Sequence, residues 1–193
     1  MRWARSLALV ALIATGAEAL PDGDTHVSLV PWRVVAPGET IEAPLVLFWI
    51  PGSPEELKRS PLLTSRVLTL HSSRCVAMRV ARPDDRERLE RLHVASALPV
   101  AVLARGEGKE EALDAIENDD GELPLRAVED LVQTELDARV DAAESRLRKA
   151  QDLSDAGETE AALRLYREVW ADRCMCPRQA RVAQRAMRRL EKR

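Results

Sequence analysis

Three cysteines are the residues of this chain whose type and spacing could support redox chemistry. Cys174 and Cys176 flank a single methionine, and a Cys-x-Cys pair can close into a strained disulfide that is easily reduced. Pro177 follows at once and indicates a helix start, where the helix dipole can lower the pKa of a thiol. Cys75 begins an apolar segment, and we expect it to be a small buried hydrophobe. Three states stay open for Cys174 and Cys176: a redox pair, one structural disulfide that includes either of them, and inert thiols.

Metal and hydrolase chemistry find less support in the residue pattern. Two cysteines without a nearby histidine supply too few ligands for zinc. His26, His71 and His93 are scattered along the chain, and none is close enough to Ser53 in sequence to serve as its base. We therefore expect no metal, no cofactor and no serine hydrolase site.

Ser53 and Glu56 have the types and spacing of a helix start. Ser53 is a favoured N-cap residue, Pro54 suits the first helical position, and Glu56 can reach back to complete a capping box. We predict that Ser53 and Glu56 stabilise a helix N-terminus and take no part in catalysis.

Apolar segments on both sides of this helix start predict a sheet. Leu45–Ile50 is an unbroken apolar run, which is typical of a strand buried on both faces. Residues 110–116 have a poor strand composition, and residues 125–136 have the spacing of an amphipathic helix. The segments expected to form strands are 29–35, 45–50, 75–81 and 98–104.

Together these segments resemble a thioredoxin fold that has lost its redox cysteines. In thioredoxins a buried strand containing Phe-Trp precedes a Cys-x-x-Cys motif, and here Ser53 and Glu56 stand in the two cysteine positions. Pro99 stands where that family has a cis-proline facing the redox loop. The resemblance implies a cis Leu98–Pro99 bond. It leaves open whether Pro99 shapes a groove for extended peptides or only fixes the loop before its strand.

The chain has a helical composition from residue 138 onward. Helices are expected up to about residue 156, over residues 158–171 and from Pro177, and Gly157 separates the first two. Ala150, Gly157, Ala162 and Tyr166 resemble the small, turn and aromatic positions of a tetratricopeptide repeat. One degenerate repeat cannot build a solenoid, so we predict a helical hairpin with a capping helix.

Charge is distributed unevenly along the chain, whose formal net charge is −3. Residues 107–145 hold fourteen acidic and three basic residues, whereas residues 146–193 hold thirteen basic and seven acidic ones. The last helix carries a basic stripe at spacings of three and four, which could meet an acidic protein, anionic lipid or nucleic acid. The simpler interpretation is a solvated face that partly complements the acidic stretch. The stripe consists of Arg178, Arg181, Arg185, Arg188 and Lys192.

The N-terminus has the pattern of a secretory signal peptide over residues 1–19: a basic start, a short apolar run and an Ala-x-Ala site. We therefore expect a periplasmic or secreted α/β protein, with a thioredoxin-like domain over 28–137 and a tetratricopeptide-like helical region over 138–193. Its expected role is non-catalytic binding or scaffolding of a protein partner in the cell envelope. Neither nucleic-acid binding nor stable membrane insertion after cleavage is expected. The alternative is a thiol-disulfide oxidoreductase that uses Cys174 and Cys176.

Overall fold

A computed structural model describes residues 28–95, 97–106, 108 and 110–192 of the chain. The expected signal peptide, residues 1–19, and His26 lie outside the described residues. The described part contains a mixed five-stranded sheet in the order β1-β3-β2-β4-β5, in which β1, β3 and β2 are parallel and β4 and β5 are antiparallel to their neighbours. The strands are β1 (Arg33–Val34), β2 (Leu45–Ile50), β3 (Val76–Val80), β4 (Val100–Arg105) and β5 (Glu111–Glu117).

Strand β2 lies at the centre of the sheet, and every residue in it is buried. Its side chains alternate between two clusters of buried residues because successive residues of a strand point to opposite faces. Helices α2 and α4 cover one face, while the segment after β1 and the region around α3 cover the other. The first cluster takes Leu45, Leu47 and Trp49, and the second takes Val46, Phe48 and Ile50.

Six helices occur in the described residues, and three of them are shorter than eight residues. The short helices are α1 (Glu56–Arg59), α2 (Arg66–Ser72) and α3 (Arg86–Arg91), and the long ones are α4 (Leu125–Asp155), α5 (Thr159–Ala171) and α6 (Pro177–Leu190). The predicted C-terminal helices are confirmed, and Gly157, at a φ of 80°, follows the end of α4 as a left-handed residue.

Helix α4 is one continuous element of 31 residues, where the sequence suggested two helices. Its first half buries Val128, Val132 and Leu136 against the sheet, and its second half packs on α5 and α6 through Ala143 and Ala150. No Pro or Gly interrupts the segment, so the backbone has no reason to break. The proposed division of the chain after residue 137 stays a prediction.

Strand β5 forms where the sequence indicated a poor strand. It pairs with β4 along one side only and forms an edge of the sheet. Acidic residues are unfavourable in central strands, but charges are common on edges because they discourage pairing with other chains. Hydrogen bonding to β4 and partial burial of Leu113 and Ile116 therefore outweigh the low strand propensity of this segment.

Arg88 is fully buried and connects α3 to two loops. Its guanidinium lies 2.7 Å from Asp85 and 3.1 Å from Glu110, and it also donates to the carbonyl oxygens of Ala36 and Glu39. The guanidinium is fully desolvated, and these four acceptors compensate for the hydration that it loses on burial. The composition of the sequence gave no sign of this cluster.

Candidate functional site

A cavity of about 550 Å³ lies at the C-terminal end of β2, beside the start of α1. Three parts of the chain form it: the loop and turn from Gly52 to Pro61, the Leu98–Pro99 dipeptide, and residues 121–123. The Leu98–Pro99 peptide bond is cis, as the resemblance to thioredoxins implied. We call this cavity the Pro99 groove.

Ser53, which is exposed, and Glu56, which is half-buried, both line this groove. The Ser53 hydroxyl accepts a hydrogen bond from the Glu56 backbone N–H at 3.3 Å. The Glu56 carboxylate accepts from the Gly52 N–H at 2.8 Å and from the Trp49 indole Nε1 at 3.0 Å. The geometry differs from the predicted capping box because residues 54 and 55 form a turn, and Glu56 reaches back to Gly52 instead of Ser53.

These contacts determine what chemistry the side chains of Ser53 and Glu56 can perform. Both oxygens of Glu56 are engaged by donors, and the hydroxyl of Ser53 holds the first backbone N–H of α1. Neither side chain is a thiol, so neither can attack a disulfide. Trp49 is itself fixed by an edge-to-face contact with Trp32, at 5.5 Å between ring centroids. The arrangement forms a hydrogen-bonded wall, and neither Ser53 nor Glu56 supplies a thiol to it.

The mouth of the groove is acidic and its floor is apolar. Glu55 and Glu122 are exposed at the mouth, and Arg59 is the cation among the lining residues. Pro99 and Leu123 are buried and contribute apolar surface. A groove with an apolar floor and a polar mouth suits a polypeptide segment better than a small metabolite that must be enclosed.

Gly52 allows the two walls of the groove to approach each other. A Cβ atom at residue 52 would lie 3.2 Å from Pro99 Cδ and 3.3 Å from the carbonyl group of Leu98. These distances are tighter than ordinary van der Waals contacts, so a larger side chain would push the cis-proline loop away. Glycine therefore sets the width of the groove at its base.

Two of the three cysteines form a disulfide, which is one of the states that the sequence left open. Cys75 is bonded to Cys174, 99 residues away, with 5.8 Å between Cα atoms. The expectation that Cys75 is only a small buried hydrophobe is wrong: it is half-buried and bonded to Cys174 where the turn after α2 meets the turn before α6. The Arg74 guanidinium also donates to the Met175 carbonyl oxygen, at 2.7 Å, across the same contact. The sequence interpretation correctly included one structural disulfide involving Cys174 or Cys176.

Cys176 is a free thiol buried in the helical region. Burial raises the pKa of this thiol, and the nearby carboxylate of Asp172 raises it further. A raised pKa reduces the thiolate fraction, which is the reactive form. The structure does not pair Cys174 with Cys176.

The four arginines of the basic stripe lie on the exposed face of α6, opposite the buried residues Ala180, Ala183 and Ala186. Lys192, predicted to continue the stripe on this helix, is exposed beyond its end at Leu190. Within the described residues, no stripe side chain lies within 4.0 Å of a carboxylate. A hydrogen bond from Gln179 to Glu144, at 3.0 Å, joins α6 to the acidic stretch. None of the stripe residues lines the Pro99 groove.

Sequence reasoning missed one side of the groove, residues 121–123. The Asn118 side chain accepts from the Gly121 N–H and donates to the Ala97 carbonyl oxygen at 2.6 Å, which joins this turn to the loop before Pro99. The Asn-Asp-Asp-Gly composition indicates a turn. Only the folded chain reveals that this turn meets the cis-proline loop.

The described residues contain no group of three or more His, Cys, Asp or Glu side chains placed to hold a metal ion. Within that same part of the chain, no helix has the length and apolar character needed to cross a bilayer. Neither a scan against models of protein families nor a search of curated proteins found a match to this chain.

Proposed function

We propose that this chain is an exported, non-catalytic thioredoxin-like protein that binds a protein partner through the Pro99 groove. The order of the mixed sheet, the helix start after β2 and the cis-proline before β4 support the thioredoxin-like assignment of residues 28–137. The helices after residue 138 support a tetratricopeptide-like hairpin with a capping helix. Export rests on the signal-peptide pattern of residues 1–19.

The double hydrogen bond to Glu56 is the observation that carries this proposal. Its carboxylate occupies one thiol position of the resemblance and holds both Trp49 and Gly52. The groove beside it stays open, with a volume of about 550 Å³. A site that keeps its cavity but replaces its nucleophile with a structural carboxylate is suited to binding without electron transfer.

Photocrosslinking tests the groove directly. A photoreactive amino acid replaces Glu122 at the mouth in one variant of the mature protein and replaces Asp141, exposed on α4, in the control. In envelope extract we expect a discrete crosslinked product from position 122 and none from position 141. Equal labelling at both positions, or none at either, contradicts binding through this groove.

The alternative function is thiol-disulfide exchange by Cys174 and Cys176. The buried Cys176 thiol with its raised pKa and the pairing of Cys174 with Cys75 both argue against a reactive pair. The mature protein is assayed for insulin reduction in the presence of dithiothreitol. Activity that disappears in the Cys174→Ala/Cys176→Ala variant would overturn the non-catalytic proposal.

Cell fractionation tests the proposed location. The full chain is expected in the periplasmic or secreted fraction, and a variant lacking residues 2–19 is expected in the cytoplasm. Cytoplasmic retention of the full chain contradicts export.

A further inference from the structure

A second groove lies between the edge strand β5 and helix α4, with a volume of about 500 Å³. Leu103 and Leu131 form its buried floor, and Leu113 and Ile116 form half-buried walls. We call it the β5 groove. It shares no lining residue with the Pro99 groove.

Unpaired charge surrounds this apolar floor. Asp114 on β5 and Asp130 on α4 line the groove and are exposed, and no cation of the described residues lies within 4.0 Å of either. Glu135, which also lines it, is already paired with Arg139 at 2.8 Å. The groove lies within the strongly acidic stretch of residues 107–145. Its field therefore favours a cationic occupant.

The backbone of β5 adds a second requirement for the occupant. Strand β5 pairs only with β4 among the described strands, so its outer edge offers main-chain donors and acceptors to another strand. The Asp114 carboxylate accepts a hydrogen bond from the Ala115 N–H at 2.8 Å, which protects part of that edge. A lysine or arginine of the occupant would attract this carboxylate and free the edge for pairing.

We infer that the β5 groove binds an extended peptide segment in which basic residues lie two positions before and two positions after an apolar residue. The peptide adds a strand to the free edge of β5, and one apolar side chain enters the cavity over Leu103 and Leu131. The basic side chains two positions before and after it point to the same face of the sheet and so lie near Asp114 and Asp130. Affinity then comes from main-chain pairing, and selectivity comes from the acidic rim. This site is independent of the proposed function of the Pro99 groove.

Helix α6 of a second copy would supply positive charge, but it would neither fill the apolar cavity nor pair with the backbone of β5. Its exposed face offers Val182 as the large apolar residue among arginines, which is too little to fill the cavity. A helix also has no free backbone groups to pair with β5. The observations thus favour an extended partner over self-association.

Fluorescence polarisation with a labelled Thr-Lys-Thr-Leu-Thr-Lys-Thr peptide, whose two lysines share one face of a strand with the leucine, tests the inference on the mature protein. Asp130→Lys should weaken binding about tenfold because it places a like charge on the rim. The matched control is Asp152→Lys, the same charge change on an exposed residue of the same helix, about 33 Å away at 1.5 Å per residue. The control should bind within about twofold of the parent protein.

Two further probes separate strand addition from simple charge attraction. The same peptide with alternate backbone nitrogens methylated should lose binding, and a peptide with Glu in place of Lys should not bind. Equal losses for Asp130→Lys and Asp152→Lys, or unchanged binding of the methylated peptide, would overturn the inference. Sedimentation showing a dimer that Asp130→Lys converts to monomer would overturn it in favour of a second copy.

Discussion

The Trp49 indole and the Glu56 carboxylate are joined by a hydrogen bond of 3.0 Å that links the buried end of β2 to the first turn of α1. Glu56→Ala removes the acceptor for this indole and for the Gly52 N–H. We expect a loss of about 1 to 3 kcal/mol in the free energy of unfolding because a largely buried donor is left unsatisfied. Urea denaturation followed by tryptophan fluorescence measures it. Glu56→Gln, which keeps an acceptor for the indole, should lose less, and equal losses would contradict this account.

Ser53 is expected to contribute to stability only. Ser53→Ala removes the hydroxyl that accepts from the Glu56 N–H and should lower the free energy of unfolding by about 1 kcal/mol. Ser65→Ala is the comparison, because the buried Ser65 hydroxyl both accepts from the Leu68 N–H and donates to Glu129 at 2.6 Å. Chemical denaturation should show the larger loss for Ser65→Ala. The reverse order would contradict the assigned roles.

Arg88 should be among the most sensitive positions in the chain. Arg88→Met leaves the buried Asp85 without its cation and leaves the buried Glu110 with Arg91, at 3.2 Å, as its remaining cation. Breaking a buried ion pair in this way costs about 3 to 5 kcal/mol. Adding Glu110→Gln to Arg88→Met should recover part of the loss, which a double-mutant cycle in urea detects. Arg82→Met, which breaks an exposed pair with Asp84, is the control and should change stability by less than about 1 kcal/mol. Additive effects of the two changes would show that Arg88 and Glu110 do not act together.

The Cys75–Cys174 disulfide should stabilise the chain mainly by restricting its unfolded state. The two cysteines are separated by 99 residues, and closing a loop of that length corresponds to about 5 kcal/mol. Cys75→Ala should therefore lower the urea midpoint strongly, and dithiothreitol should lower it for the parent protein but not further for the variant. Cys176→Ala is the control. A midpoint unaffected by dithiothreitol would contradict the bond.

His71 should make stability depend on pH. It is buried on α2, its Nε2 has no hydrogen-bond partner in the described part of the chain, and desolvation by burial lowers its pKa below the usual 6.5, with the charge of Arg74 adding to this effect. Glu129 and Asp137, which face it from α4, oppose the shift without reversing it. Just below pH 6.5, His71 therefore binds a proton more readily in the unfolded chain than in the folded chain. The free energy of unfolding should fall as pH drops through about 6.5.

Urea midpoints between about pH 8 and pH 5 measure this dependence. His71→Gln should flatten the profile in the window just below pH 6.5, while His93→Gln, a change at an exposed residue, should leave it unchanged. An identical slope for His71→Gln and the parent protein would contradict a role for His71.

Much of the sheet could be predicted because its strands carry strong local signals. The apolar run of β2 indicated a strand buried on both faces, and the resemblance to thioredoxins implied the cis bond before Pro99. Strand β5 has weak local signals, because its pairing with β4 and its edge position decide its conformation. The disulfide and the Arg88 cluster join residues distant in sequence, so only the tertiary fold specifies them.

The candidate site was predictable in part for the same reason. Ser53 and Glu56 have helix-start spacing, which is a local property, and both form the expected kind of backbone contact. The contact from Glu56 to Trp49 requires the indole to point toward α1. The indole also packs edge-to-face on Trp32, and this packing depends on the tertiary fold. The contribution of Gly121 and Glu122 depends on Asn118 reaching Ala97. No residue-type pattern encodes that approach.

The continuity of α4 has a geometric consequence for any assembly that includes this chain. The helix begins two residues after Leu123, at the Pro99 groove, and ends next to Gly157, about 46 Å away at 1.5 Å per residue. Because no Pro or Gly interrupts the helix, the distance between its two ends is fixed. Two molecules held at opposite ends would be kept at a set spacing, and binding of the first would raise the effective concentration of the second only when their own geometry matches that length.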